Sequence, residues 1–313
     1  GLRYWFTFFA VYTVWRRAVS CDVIHTTTYN AAVPAWLVAK ILRKKALITV
    51  HEIWGDLWFR VIRMNHFSAW LHWLFEWVVV RLRFDAYVGV SDCTREAIEA
   101  IHGSSKNVTR IYHGIDYQLF DPLKHDGLQT RKRLNLGSVF SYLYFGRTGW
   151  AKGVDSLLRA VPTIAEAIPR SRCLLLLSRD PIQPFWAIEE SIKHLGIEQQ
   201  VVLLNPFPRK TLPDILSAVD CVVIPSISEG FGFTTAESCA MGKPVAVSKA
   251  GSIPEVASGD VHFFDPQNAN GIARAVIAIA RGQHVLIPRK RFEWDTAVRA
   301  YTALYRTIFH EPV

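Results

Sequence analysis

The sequence lacks the means to staple itself. Its five cysteines (Cys21, Cys93, Cys173, Cys221 and Cys239) are scattered, odd in number and never spaced as CxxC. That excludes a disulfide framework and a zinc ribbon, and reads as free thiols in a reducing compartment. No apolar run reaches the roughly 20 residues of a spanning helix. Leu2 to Trp15 is interrupted by Arg3 and ended by Arg16 and Arg17, and Leu71 to Val80 contains Glu76. No small-residue cleavage site follows the first run, so it is not a signal peptide. Both runs read as helices with a broad apolar face. No GxxxxGK[ST] loop occurs, and Gly55 stands where an HExxH peptidase needs its second histidine after His51. Internal repeats and low-complexity segments are absent.

What is present is a globular composition, half hydrophobic and 20% charged, in 313 residues, enough for two domains. The formal net charge of +9 suits an anionic ligand, an anionic membrane surface or nucleic acid. The basic residues form no stripe with interleaved aromatics, which argues against nucleic acid.

Short apolar runs alternate with amphipathic patterns. Strands are expected at Cys21–Thr27, Ala46–Glu52, Ala86–Ser91 and Val108–Gly114, with a helix at Thr94–His102. A polar connector with an arginine-rich helix, Asp116 to Gly137, follows. The alternation restarts with strands at Ser141–Arg147, Cys173–Ser178, Val201–Asn205, Cys221–Ser226 and Pro244–Ser248. Fully apolar strands between amphipathic helices indicate parallel sheets covered on both faces. The expected class is α/β, with two Rossmann-like domains, 1–137 and 138–313, the second closed by a C-terminal helix. In such sheets function lies in the loops beyond the carboxyl ends of the strands.

Two loops stand out. "FGRTGWAKG" (Phe145 to Gly153) follows a strand and opens a helix, whose N-terminus attracts anions. Arg147 and Lys152 either flank such an anion or are two solvated residues at a turn. "SEGFGFTTAE" carries Glu229, Gly230, Phe231, Gly232, Phe233, Thr234, Thr235 and Glu237. Glycines let backbone approach a ligand closely, and two carboxylates around one pocket suit a polyhydroxylated molecule. The alternative is a tight turn capped by acidic residues. A dinucleotide fingerprint fits poorly, because Thr235 replaces its third glycine.

In combination these stretches resemble the retaining GT-B glycosyltransferases, specifically glycosyltransferase family 4. The resemblance rests on Gly146, Arg147, Lys152 and Gly153 after a strand, and on the E-x7-E pair Glu229 and Glu237. It continues in "AMGKPV" (Ala240 to Val245), in Gly251, Pro254 and Glu255, and in the closing "FEWDTAVRAYTALYR". "ITVHEIWG", "VGVSDCTREAI" and "RIYHGID" match the family's amino-terminal half, although His113 stands where asparagine is usual and Ser178 where glycine is usual.

The resemblance implies a GT-B fold, with two Rossmann-like domains facing across a cleft. It implies that Arg147 and Lys152 neutralise the diphosphate of a UDP-, GDP- or ADP-sugar. Glu237 would hold the ribose and Glu229 the transferred sugar. Gly146 and the backbone from Gly230 to Thr235 would line the donor site, and His51 would face the donor sugar. No D-x-D triplet occurs, which argues against a metal-chelating GT-A enzyme. No metal or cofactor is expected. The implied reaction is transfer of a sugar, with retention, to a saccharide or lipid-linked acceptor in the cytoplasm.

The chain starts at Gly1 without methionine. The family's first strand and glycine-rich loop are expected to be missing, which would leave an open sheet edge and an incomplete acceptor site. Rival readings are a GT-B epimerase, a phosphorylase or synthase, and a non-catalytic nucleotide-sugar-binding protein. The aromatic segment from Trp54 to Trp77, with Arg60, Arg63 and His66, is either a basic amphipathic membrane contact at the inner face or a packed helix.

Overall fold

A computed structural model of the chain describes residues 2–60, 64–103, 107–179 and 182–310, with side chains from Phe9 to Phe309. The chain divides into two compact units, Gly1–Gly114 with Glu293–Val313, and Ile115–Phe292.

In the first unit, strands β1 (Val23–Thr27), β2 (Lys45–Val50), β3 (Ala86–Gly89) and β4 (Val108–Arg110) form one parallel sheet in that order. β2 and β3 are buried along nearly their whole length, which is why they read as unbroken apolar runs rather than alternating ones. Helices Leu2–Ala18, Ala32–Leu42, His66–Arg81 and Asp92–His102 accompany them. Local chemistry sets their ends. The Ser91 hydroxyl accepts from the Thr94 N–H to start the Asp92–His102 helix, and Gly103 in the left-handed region stops it.

The second unit holds seven strands: β5 (Phe140–Gly146), β6 (Ser171–Leu177), β7 (Val201–Leu204), β8 (Cys221–Ile224), β9 (Val245–Ser248), β10 (Gly259–Phe264) and β11 (Leu286–Ile287). Their order is β11-β10-β9-β8-β5-β6-β7, parallel except for β11. The six parallel strands therefore run 6-5-4-1-2-3 in their own sequence order. This is the doubly wound arrangement, and it reverses between β5 and β8. The helix Val154–Ala167 buries Val154, Leu157, Leu158, Val161 and Ile164 at helical spacing against this sheet. Each such side chain contributes about 1.5–3 kcal/mol of apolar burial.

The strand expectations hold to within a few residues, with two differences. The Val108–Gly114 run pairs only as far as Arg110, and β10 and β11 were not foreseen. The division at 137/138 is also replaced. The polar connector, including its helix Gly127–Arg133, belongs to the second unit. The closing helix Trp294–His310 belongs to the first, because Ala297 and Ile308 pack with Leu47, Ala86, Val88 and Ile111. At Gly114 an added Cβ would stand 2.5 Å from the Trp294 ring, so only glycine admits this helix.

Ile308→Ala is accordingly expected to cost about 2–4 kcal/mol. Amide exchange should accelerate in β2 and β3 and stay unchanged in β8 and β9.

Candidate functional site

The loops leaving β5 and β8 flank the reversal point of the second sheet. β5 ends in Gly146, and the Tyr144 hydroxyl donates to the carbonyl of Arg147 at 2.7 Å. The loop turns through Trp150–Lys152 and reaches Gly153 at φ 67°. A Cβ there would fall 2.0 Å from the Pro225 carbonyl oxygen, so glycine alone lets this loop lie against the exit of β8. The Ile227 N–H closes the approach by donating to the Ala151 carbonyl at 2.6 Å.

This brings two predicted residues together. Lys152 Nζ donates to Glu229 Oε1 at 2.7 Å, and Ser226 Oγ donates to the same oxygen at 2.8 Å. Both charged side chains are largely buried, so these charge-assisted bonds are well shielded from water. The Glu229 backbone is fixed as well. Its carbonyl accepts from the Ser252 N–H at 3.1 Å, and a Cβ on Gly251 would stand 2.3 Å from it. Ser226, to which the sequence reading gave no role, joins Lys152 and Glu229 through the same carboxylate oxygen.

Gly232 takes φ 87° and opens the helix Phe233–Ala240 with no side-chain cap. Thr234 of that helix lies beside Gly146, where its methyl would sit 3.9 Å from an added Cβ. Thr235 is fully buried, and its hydroxyl has no hydrogen-bond partner among the described residues. Glu237 is buried to 2% exposure, and burial raises its carboxyl above the usual range, opposed by Arg209. Arg209 donates from its guanidinium to Glu237 Oε1 at 2.5 Å. Sequence reading missed Arg209, which lies 28 positions away. Its one signal is a basic residue in a loop leaving a strand end. Of the remaining expected donor residues, Arg147 is exposed and Gly230 buried. The Phe231 ring packs edge-on against Phe233 and Phe292, so this side chain serves the core.

His51 lies in the first unit, directly after β2. Its Nδ1 stands 3.3 Å from His113 Nε2, with the rings stacked at 5.3 Å. Desolvation lowers both imidazoles, and with His51 alongside brings His113 to about 4. The loop beyond His51 is anchored by Glu76, which is 2% exposed. Its carboxylate accepts from the Trp54 and Gly55 N–H groups at 2.9 and 2.7 Å, from Trp58 Nε1 at 3.3 Å and from the Tyr29 hydroxyl at 2.5 Å. In the sequence Glu76 registered only as a break in an apolar run. A lone carboxylate inside such a helix was the signal.

No group of three or more histidine, cysteine or acidic residues among the described residues could hold a metal ion. None of the five cysteines forms a disulfide.

The profile of glycosyl transferases group 1 matches residues 140–281, and that of glycosyltransferase family 4 matches residues 1–119. The chain belongs to glycosyltransferase family 4. A D-inositol 3-phosphate glycosyltransferase of Catenulispora acidiphila is 30% identical over 246 residues, 70% of this chain and 56% of the relative. An uncharacterized glycosyltransferase of Methanocaldococcus jannaschii is 28% identical over 70% of this chain and 59% of its own length. The chain thus spans between 55 and 59% of the length of the first of these curated relatives. Among solved structures, Anabaena HepE in complex with UDP and glucose superimposes with TM-score 0.79 at 20% identity, over 95% of this chain and 81% of that one. Sucrose-phosphate synthase from Thermosynechococcus elongatus gives 0.75 at 20% identity, over 96% and 77%. The fold of this family 4 chain is GT-B, two Rossmann-like units.

His113 supplies a pH signature. A histidine held near 4 instead of its ordinary 6.5 gives the native state fewer protons than the unfolded state between those values. Stability is therefore full above about pH 6.5 and falls as the pH drops toward 4. The expected loss in the first unit is about 1–3 kcal/mol. His113→Asn should flatten that slope in denaturant titrations run from pH 7 to pH 4.

Proposed function

We propose that the chain is the donor-handling part of a retaining glycosyltransferase, moving a sugar from a nucleoside diphosphate sugar to a saccharide or lipid-linked acceptor. The observation that carries this is the Lys152–Glu229 pair, seated at 2.7 Å where the doubly wound sheet reverses. That is the crevice in which such sheets bind ligands.

In this reading Lys152 and Arg147 take the diphosphate. They stabilise the charge that grows on it as the glycosidic bond breaks, the task a metal performs elsewhere. Glu229, still held by Ser226, then accepts from hydroxyls of the transferred sugar. Glu237 accepts from the ribose. The uncapped N-terminus of the Phe233–Ala240 helix and the unpartnered Thr235 hydroxyl supply further polar groups to an anionic ligand. His51 is the histidine that family resemblance assigns to the sugar. Its lowered basicity suits a neutral hydrogen-bonding role. No protein nucleophile is invoked. The leaving phosphate receives the acceptor's proton on the same face, and no cofactor or metal is required. The HepE neighbour was solved with UDP and with UDP-glucose, which makes uridine the first base to try.

Calorimetry with UDP-, GDP- and ADP-glucose should show saturable binding of one donor, unchanged by chelator. Lys152→Ala and Glu237→Ala should each weaken it by about 10-fold or more. Wild-type affinity in both variants would overturn the assignment.

The aromatic segment of the first unit supports a membrane contact for a lipid-linked acceptor. It divides into two parts. The half-buried Trp54 and Trp58 stack on each other, and Trp58 packs against His72. Phe59, Phe67, Trp70 and Leu71 are exposed, near Arg60; Arg63 lies outside the described residues. No described helix is long and apolar enough to cross a membrane. Flotation with anionic vesicles should retain the protein at low salt and release part of it at physiological salt. Absence of binding at both would end this reading.

A further inference from the structure

The nucleotide site contains a cation that no motif assigns. Arg209 starts a short turn, Arg209–Thr211, after β7. Its guanidinium lies over the ring of the buried Phe120, 5.4 Å from the centroid. It reaches across to Glu237, bonding Oε1. Among the described residues the other oxygen, Oε2, accepts no hydrogen bond from the protein.

Resting on the donor-site reading above, we propose that Arg209 is a positioning residue for the nucleotide. It fixes the Glu237 carboxylate through Oε1 and leaves Oε2 as the acceptor for the ribose hydroxyls. The asymmetry is the physical point. Arg209 is 62% exposed and Glu237 2%, so the carboxylate has lost its water while the guanidinium keeps most of its own. A buried carboxylate with one oxygen tied and one open is preorganised, since neither rotation nor desolvation remains to be completed when a diol arrives.

Charge follows the same geometry. The strands beside the Phe233–Ala240 helix, β8 and β9, carry no charged residue. The neighbouring Ile253–Val256 helix carries Glu255, whose backbone carbonyl is held by Lys290. Arg209 alone among these opposes the burial that favours the protonated acid. Without it, Glu237 would hold a proton at higher pH and accept less well from a diol.

The experiment measures affinity for UDP-, GDP- and ADP-glucose at pH 6 and pH 8, in wild type, Arg209→Gln and Arg209→Lys. The side-chain carbon of Glu237 is titrated by NMR in the ligand-free proteins. Because Arg209→Gln leaves the buried Glu237 without its counter-charge, its melting temperature should fall, more at pH 8 than at pH 6, and affinities are compared well below it. Wild-type affinity should differ by less than about 2-fold between the two pH values. In Arg209→Gln affinity should fall by about 10-fold at pH 6 and recover toward pH 8, with the Glu237 titration moved upward. Arg209→Lys should restore the titration and part of the affinity. Unchanged affinity, pH profile and carboxyl titration in Arg209→Gln would overturn the proposal while leaving the donor reading intact. No donor binding by folded wild type would remove the donor reading, and this proposal with it.

Discussion

The carboxylate of Glu229 is the constraint around which the second unit's site is organised. Its side chain is gripped by Lys152 from the β5 loop and Ser226 from the end of β8. Its carbonyl is gripped by Ser252 from beyond β9. Three loops from adjacent strands thus converge on one residue. The glycines follow from this convergence. Gly153 and Gly251 sit where a Cβ would meet the Pro225 and Glu229 carbonyl oxygens, and the loops could not close with any larger residue. A charge pair of this kind contributes little net stability once desolvation is counted. What it does is hold a lysine and a carboxylate together where the sheet reverses.

A second pattern runs through both units: each buried carboxylate has a different solution. Glu76 is surrounded by two backbone N–H groups, an indole and a phenol, which leaves it little capacity for a ligand, and it serves as an anchor for the His51 loop. Glu237 has one partner, Arg209, and keeps one oxygen open. The number of donors around each carboxylate therefore distinguishes the two more sharply than burial does, since both are 2% exposed. The stacked His51 and His113 are a different case, in which partial desolvation lowers the basicity of two neighbouring imidazoles.

The chain passes between the units at Gly114–Ile115 and at Phe292–Glu293. These crossings are bonded to each other within the second unit, where the Ile115 N–H donates to the Phe292 carbonyl at 2.8 Å. The C-terminal helix then completes the core of the amino-terminal unit. The helix Trp294–His310 therefore shares a hydrophobic cluster with β2, β3 and Ile111, and loss of that helix would be felt near His51's strand.

The sequence by itself determined the class, nearly every strand of the parallel sheets, and the two loops, after β5 and β8, that the structure brings together. Unbroken apolar runs read as strands covered on both faces, and the glycine–arginine, lysine–glycine and E-x7-E patterns are each short and local. What it did not contain in readable form was anything set by contacts between distant segments. The partnership of Lys152 with Glu229 spans 77 positions, that of Arg209 with Glu237 28, and that of Tyr29 with Glu76 47. The strand order that makes β5 and β8 neighbours, and the transfer of the last helix to the other unit, are of the same kind. Hydrophobic periodicity records which face of an element is buried, not which element buries it. Only the packed tertiary structure decides which polar group meets which.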